Sequence, residues 1–376
     1  MNSASDVEVA EAARRVGAGM LLIDVREPAE HALGMPLGAM PVPLSALLAQ
    51  PKEHISDLAT PVLLLCARGS RSKRAQGDLQ SRGYTAVVNV SGGFSAWRAQ
   101  ALPESEATMD SALAERFDRH LRLAGVGLEG QKKLMQAHVL VLGAGGLGSP
   151  AAFYLAAAGV GHLRLVDDDV VERSNLQRQI LHTDAAVGTF KVDSARERLL
   201  ALNPTVEVEA LRERCNAASI ERLLHGVDVV IDGTDNFATR YLVNAACVQQ
   251  GVPLVYGAVE RFTGQVSVFD AGRNRGRAPC YRCLFPEPPG PDAAPNCAEA
   301  GVLGVLPGLV GMLQATEALK LILGIGKTLQ GRLLLLDALT MQFRELRLAA
   351  DPGCPDCAPN AEFSGYADLE HWCANA

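Results

Sequence analysis

The chain has no apolar run approaching the roughly 20 residues needed to span a bilayer. Its first ten residues, MNSASDVEVA, hold neither the basic segment nor the apolar stretch of a secretory leader. A membrane partner is therefore not expected, and the expected compartment is the cytoplasm. Positive charge is also scarce: a net charge of −7 leaves no general attraction for nucleic acid, so any bound anion must meet locally placed cations. No internal repeat is present, and no low-complexity segment beyond the proline-rich FPEPPGPDAAP at 285–295, which is expected as a loop. The eight histidines show no metal-binding spacing. What remains is a chain of 376 residues, 48% hydrophobic and 20% charged, long enough for two cores. Its nine cysteines, in a reducing compartment, are expected as metal ligands, nucleophiles or core filler rather than disulfides.

Residues 1–104 carry short apolar runs of strand length, LLIDV, PVLLLC and AVVNV, each followed by polar or glycine-rich sequence. The polar stretch around QALPESEATMDSA contains the linker, placed at 105–114. From 115 to 376 the runs AHVLVLGAGG, HLRLVDDD, VEVEAL, DVVIDGTDN and VPLVYGAV alternate with helix-length segments. That alternation predicts an α/β domain with a mainly parallel sheet covered on both faces.

In the first half, Cys66 directly follows VLLL and opens CARGSRS. A thiol at the end of a buried strand, before a short loop that opens a helix, faces converging backbone N–H groups. Those donors, with Arg68 and Arg71 close in sequence, would lower its pKa and stabilise a thiolate or persulfide. The competing reading is a small core residue. The pieces LLIDVREPAEHALG, CARGSRS and VSGGFSAW make the first hundred residues resemble a rhodanese sulfurtransferase domain. The resemblance implies that Cys66 carries the persulfide and that Asp24 and Arg26 are structural. One departure is Met35, which stands where many family members have histidine.

In the second half, VLVL runs into GAGGLGSP, with Gly143, Gly145, Gly146 and Gly148 in the turn and Pro150 in the first turn of a helix. The next strand ends in Asp167, placed to accept hydrogen bonds from ribose hydroxyls. To this point NAD, FAD and ATP are equally allowed. SNLQRQ then brings together Asn175, Arg178 and Gln179, and GTFK adds Lys191. Two cations with polar amides suit a triphosphate, whereas hydride transfer has no such need. DVVIDGTDN places Asp235 and Asn236 at the carboxyl edge of the sheet, where a carboxylate is a candidate Mg²⁺ ligand.

Two C-x-x-C pairs, Cys280/Cys283 and Cys354/Cys357, stand beside proline and glycine. Four thiolates in two knuckles predict a closed, structural Zn²⁺ site. A redox dithiol is the rival, but one pair would suffice for it and neither opens a helix after a strand. Cys297 lies in APNCAEAGVLG without a nearby cysteine partner; Cys215 and Cys247 fall in helical patterns and are expected as core filler, and Cys373 as an ordinary terminal thiol.

The motifs RFDRHLRL, GAGGLGSP, VDDDVVERSNLQRQILH, GTFK, DGTDN, PCYRC, NCAEAGVLG, DALTMQFR and PGCPDC make residues 115–358 resemble the MoeB/ThiF family, adenylating enzymes related to the ubiquitin-activating enzymes. The fold implied is a Rossmann-like ATP-binding α/β domain with a structural zinc site, behind a small rhodanese-like α/β domain. The resemblance assigns Gly146 and Asp167 to the nucleotide, and Ser174, Asn175, Leu176, Gln177, Arg178 and Lys191 to the phosphates. It assigns Asp235 and Asn236 to metal and nucleotide, and Cys297 as a nucleophile on a crossover loop. Arg119 would reach into a neighbouring subunit's site, which implies a homodimer. The expected function is adenylation of the C-terminal glycine of a small ubiquitin-like sulfur carrier, with ATP and Mg²⁺, followed by sulfur transfer from Cys66 to give a thiocarboxylate. The sulfur donor would be thiosulfate or a cysteine desulfurase. Ending in CANA without a terminal Gly-Gly, the chain is expected as the activator and not the carrier. The alternative is an NAD-dependent oxidoreductase with a fused sulfur-sensing domain.

Overall fold

The structure, a computed structural model, describes residues 6–288 and 301–366. The chain divides into two compact units, Met1–Gln131 and Lys132–Ala376.

The first unit is built on β1 (Leu21–Asp24), β2 (Met40–Pro41), β3 (Val62–Leu65) and β4 (Val87–Asn89), a parallel sheet in the order β2-β1-β3-β4. Alternating residues of its central strands face opposite sides. Ile23 and Leu64 pack with Leu47 and Leu79 on one face, and Leu22, Leu63 and Leu65 with Phe94 and Trp97 on the other. Burial on both faces is why these strands read as unbroken apolar runs. At the end of β1, the buried Asp24 carboxylate receives Arg26 Nε (2.9 Å) and Nη2 (2.6 Å), and the guanidinium lies 3.9 Å from the centre of the Phe94 ring.

The expected linker belongs to the body of this unit. The N–H groups of Thr108 and Met109 both donate to the Ala32 carbonyl (2.9 and 3.3 Å), and Met109 is buried. Met35 and Ser105 exchange two bonds: Ser105 N–H donates to the Met35 carbonyl (2.8 Å), and Met35 N–H to Ser105 Oγ (3.1 Å). Asp110 then caps the helix Ser111–Arg116, which with Asp118–Leu121 packs on the helix Pro28–Ala32. The compact units part at 131/132, and backbone bonds to the 32–35 segment hold the polar stretch expected as a connector against the first unit.

The second unit carries β5 (His138–Leu142), β6 (His162–Val166), β7 (Glu207–Leu211), β8 (Val229–Asp232), β9 (Leu254–Glu260), β10 (Thr263–Phe269), β11 (Arg332–Asp337) and β12 (Gln342–Arg347). Their order is β12-β11-β10-β9-β8-β5-β6-β7. Strands β5 to β9 are the five expected from sequence and pair in parallel. The sheet then continues through β10, β11 and β12, all antiparallel. It is mixed because tight connections, such as the one between Glu260 and Thr263, can only reverse a strand.

The helix Val305–Leu323 packs on β9 and β10 and against the helix Gly148–Ala158. By length and composition alone it could cross a membrane. Its buried Gln314 instead donates to the carbonyls of Asp232 (2.7 Å) and Val255 (3.1 Å), and its buried Glu317 accepts from Leu329 N–H (2.7 Å). Those bonds are what a core helix covering a sheet makes.

Candidate functional site

In the first unit β3 ends at Leu65, and Cys66 begins the loop to the helix Ser70–Ser81. The Cys66 residue is buried. Gly69 N–H donates to its Sγ (3.1 Å), as does the Ser72 hydroxyl (3.3 Å). Burial pushes the thiol pKa up, but bonds from the Ser72 side chain and from the N–H groups of Ser72, Arg68 and Gly69 outweigh it and hold the pKa below its ordinary value. Arg71 and the Cys66 sulfur interact electrostatically, as expected, although Glu30 is the stronger partner. Arg71 is engaged by Glu30 through two bonds of 2.7 Å, and Arg68 supplies its N–H while its side chain is exposed. The opposite wall is Gly93, where a Cβ would collide with the Cys66 carbonyl; Phe94 N–H donates to that same oxygen (2.8 Å).

In the second unit, the carboxyl ends of β5, β6, β7 and β8 open into a cavity of about 720 Å³. The turn after β5 requires glycine at Gly148, where a Cβ would strike the Gly143 carbonyl. The Ala144 peptide is pinned on both sides. Its N–H donates to Asp167 Oδ2 (2.8 Å), and its carbonyl accepts from His182 Nε2 (2.9 Å) and Ser149 Oγ (3.1 Å). A carbonyl can only accept, so His182 carries its proton on Nε2, while Nδ1 accepts from Ser194 (3.0 Å). Burial lowers the His182 pKa, with Lys191 nearby acting in the same direction. Gly145 and Gly146 line the cavity, and among the described residues their N–H groups have no protein acceptor.

Asp167 lines the cavity with its pKa raised by burial, against the lowering effects of Lys191 and two backbone N–H groups. Lys191 is itself buried at the cavity wall and pairs with Asp169 (2.7 Å). Ser174, Asn175, Gln177 and Arg178 line the wall, while Leu176 does not; it caps the short 3-10 turn Arg173–Asn175. Asp235 is exposed to the cavity and makes no hydrogen bond or ion pair among the described residues. Asn236 also lines it, but its Oδ1 caps the helix Phe237–Gln250 by accepting from Thr239 N–H (2.9 Å). Arg119 is exposed on Asp118–Leu121 in the first unit and is not a cavity residue. Cys297 and Cys373 lie outside the described residues.

Several cavity residues escaped the sequence reading. Cys215 lies in the connection after β7 and is not helical; it is partly exposed, packs against the edge of the hydrophobic core, and also lines the cavity with Glu213 and Arg214. Cys247 is the buried helical thiol expected. Gln179, which the sequence reading grouped with Asn175 and Arg178, is buried at the cavity with its Oε1 unpartnered among the described residues. The available signal was position: Glu213–Cys215 follow β7 as Asp167 follows β6, at the edge where ligands of open α/β sheets collect.

The four paired cysteines converge. Sγ separations are 3.4 Å for Cys283–Cys357, 3.6 Å for Cys280–Cys354 and 3.9 Å for Cys280–Cys283. These exceed a disulfide bond and match the about 3.8 Å edge of a tetrahedron with metal–sulfur bonds of about 2.3 Å. Asp356 ties the knuckles together: its Oδ1 accepts from Arg282 (2.9 Å), and its Oδ2 from Asn244 (2.8 Å), whose own Oδ1 accepts from Tyr281 N–H (2.8 Å). The donor set thus fits a structural zinc ion.

Residues 117–356 match the ThiF family, and residues 8–100 the rhodanese-like domain. The chain is 52% identical over 260 residues to a sulfur carrier protein adenylyltransferase of Thermus thermophilus, covering 69% of this chain and 96% of that one. It is 50% identical over 250 residues to the SAMP-activating enzyme E1 of Haloferax volcanii, covering 66% and 91%. A probable adenylyltransferase/sulfurtransferase MoeZ of Mycobacterium tuberculosis is 46% identical over 272 residues, with 72% and 68% covered. Among solved structures, E. coli MccB superimposes with a TM-score of 0.57 at 21% identity, covering 69% of this chain and 76% of that one, a likeness of fold. Nothing in these comparisons supports the oxidoreductase alternative.

Proposed function

Because the chain belongs to the ThiF family and carries a rhodanese-like domain in the same polypeptide, we propose that it adenylates the C-terminal glycine of a small ubiquitin-like sulfur carrier and converts it to a thiocarboxylate. The observation that carries this reading is the presence of two strand-end sites of complementary chemistry. One is a cavity with unpartnered backbone donors beside Arg178 and Lys191; the other is a thiol held below its ordinary pKa.

A carboxylate oxygen of the carrier attacks the α-phosphorus of ATP, the α–β bridging bond breaks, and pyrophosphate leaves. Gly145 and Gly146 offer N–H groups, and Arg178 and Lys191 offer charge, to the phosphates. Asp235, with Asn236 beside it, would hold Mg²⁺, which supplies further charge neutralisation at the phosphate oxygens. In the other unit the Cys66 thiolate attacks the sulfane sulfur of thiosulfate and releases sulfite, or takes the sulfur from a cysteine desulfurase. The terminal persulfide sulfur then displaces AMP from the acyl carbon, directly or after Cys297 has taken the acyl group as a thioester. An external thiol attacks the Cys66 sulfur of the acyl persulfide, forming a disulfide and expelling the thiocarboxylate. A carboxylate is inert to sulfur until it bears such a leaving group, which is the reason to join the two activities. The four clustered cysteines would hold Zn²⁺, which fastens the two knuckles together.

The purified protein is expected to exchange labelled pyrophosphate into ATP only with its carrier and Mg²⁺ present; carrier-independent exchange would count against the reading. Cys297→Ala is expected to leave exchange and persulfide formation intact while slowing thiocarboxylate release. In the proposed homodimer Arg119 serves the partner's site. Mixing Arg119→Ala with Asp235→Ala chains should then restore part of the exchange that each lacks alone, and no restoration would remove that role.

A further inference from the structure

We infer that the buried pair Asp232–Arg240 is the positioning device for the turn that carries Asp235, and so sets where the metal ligand stands in the cavity. The inference rests on the adenylation reading, in which Asp235 holds the metal. Asp232 is the last residue of β8 and is buried. Its Oδ1 accepts from both the N–H (3.0 Å) and the hydroxyl (2.6 Å) of Thr234, and its Oδ2 lies 3.4 Å from Arg240 Nε. Arg240, on the helix Phe237–Gln250, reaches back so that Nη2 donates to the Thr234 carbonyl (2.8 Å) and the Gly257 carbonyl on β9 (3.4 Å).

The N–H, hydroxyl and carbonyl of Thr234 are thus all held by this pair, and the next residue is Asp235. Gly233 N–H donates to the Leu142 carbonyl (2.8 Å), which fixes the start of the same turn to the end of β5. Asp235 makes no hydrogen bond or ion pair of its own among the described residues, so its place follows from the backbone before it. The Arg240 guanidinium is further confined above the Tyr256 ring at 5.4 Å. Burying two charges yields little net stability, because desolvation offsets their attraction. The contribution of the pair is geometric. A lysine at 240 keeps the charge but lacks the planar fork that sets Nε against Asp232 and Nη2 on the two carbonyls.

The test uses the full chain with Arg240→Lys and, separately, Asp232→Asn, which keeps the side-chain volume. Three quantities are measured: the Mg²⁺ concentration for half-maximal ATP–pyrophosphate exchange, Mn²⁺ affinity in the presence of ATP by water-proton relaxation, and ATP affinity in excess EDTA. Both metal readouts are expected to weaken about tenfold, as for outer-shell partners of metal ligands, while metal-free ATP binding changes far less. Should Arg240→Lys fail to fold, Asp232→Asn is read alone. Unchanged metal dependence, an equal loss of metal-free ATP binding, or unfolding of both variants would overturn the inference. A wild type without exchange would instead sink the adenylation reading, and Mn²⁺ affinity would still report on the pair.

Discussion

Each of the two units sets its chemistry at the carboxyl end of a parallel strand, in a loop that opens a helix, yet they use that position in opposite ways. After β3 the loop donors converge on the chain's own sulfur: Gly69 N–H and the Ser72 hydroxyl are both aimed at Cys66, and Gly93 closes the wall. After β5 the loop is pinned from behind through Ala144, and the N–H groups of Gly145 and Gly146 are left for a ligand. The same local architecture therefore suits a nucleophile where the anion is internal and would suit a phosphate where it is external. What separates them is whether a side chain occupies the centre of the donors.

The largest effect that tests this division is a crossed pair of substitutions. Asp235→Ala should lower carrier-dependent pyrophosphate exchange by about 10³-fold or more and leave persulfide formation from thiosulfate at wild-type rate; Cys66→Ala should do the reverse. If Cys66→Ala also stopped exchange, the division would not hold. Next comes metal. About one Zn²⁺ per chain is expected, with Cys283→Ser or Cys357→Ser losing it and lowering the melting temperature of the second unit, while thiosulfate chemistry in the first persists. A metal-free wild type of equal stability would break that contrast.

A smaller effect is expected at Ser72. The folded state holds the Cys66 pKa down, so thiolate persists to lower pH than for an ordinary thiol. Ser72→Ala removes a donor, and the acid limb of the persulfide-formation profile should move to higher pH, with a several-fold loss at pH 7. An unmoved limb would assign the lowering to backbone alone. The smallest effect belongs to His182, whose pKa lies below its ordinary 6.5. A depressed histidine favours the folded loop while neutral, and the unfolded state binds more protons as pH falls through 6.5. Stability of the second unit measured by chemical denaturation should therefore hold above that pH and decline modestly below it. His182→Gln, which lacks the titration, should flatten the decline, and an unaltered decline would exclude His182 as its source.

Much of this division was legible in the chain because its signals are local. Strand, turn and helix follow one another within a few residues at VLLLCARGS and VLVLGAGGLGSP, and each carries its acid, thiol or glycine at a fixed offset. The paired cysteines are equally local, since each knuckle supplies two sulfurs three residues apart. Other features have no local signal. Arg71 reads as a partner for Cys66, and it is, but its two hydrogen bonds go to Glu30, far away in the chain. The 105–114 stretch reads as a linker, and the Ala32 and Met35 carbonyls hold it against the first unit.

The sequence by itself determined which chemistry is present: a loop thiol, a glycine turn between strand and helix, a pair of phosphate-suited cations and four thiol ligands, all specified by residue type and short spacing. Only the tertiary structure decided which of those groups meet and what stands beside them. It extended the parallel sheet with β10, β11 and β12, brought Cys215 to the cavity, left Leu176 out of it, and closed Asp232 and Arg240 around Thr234. The reason is physical: strand pairing, burial and the fate of a buried charge depend on neighbours distant in the chain, and no spacing within a motif encodes them.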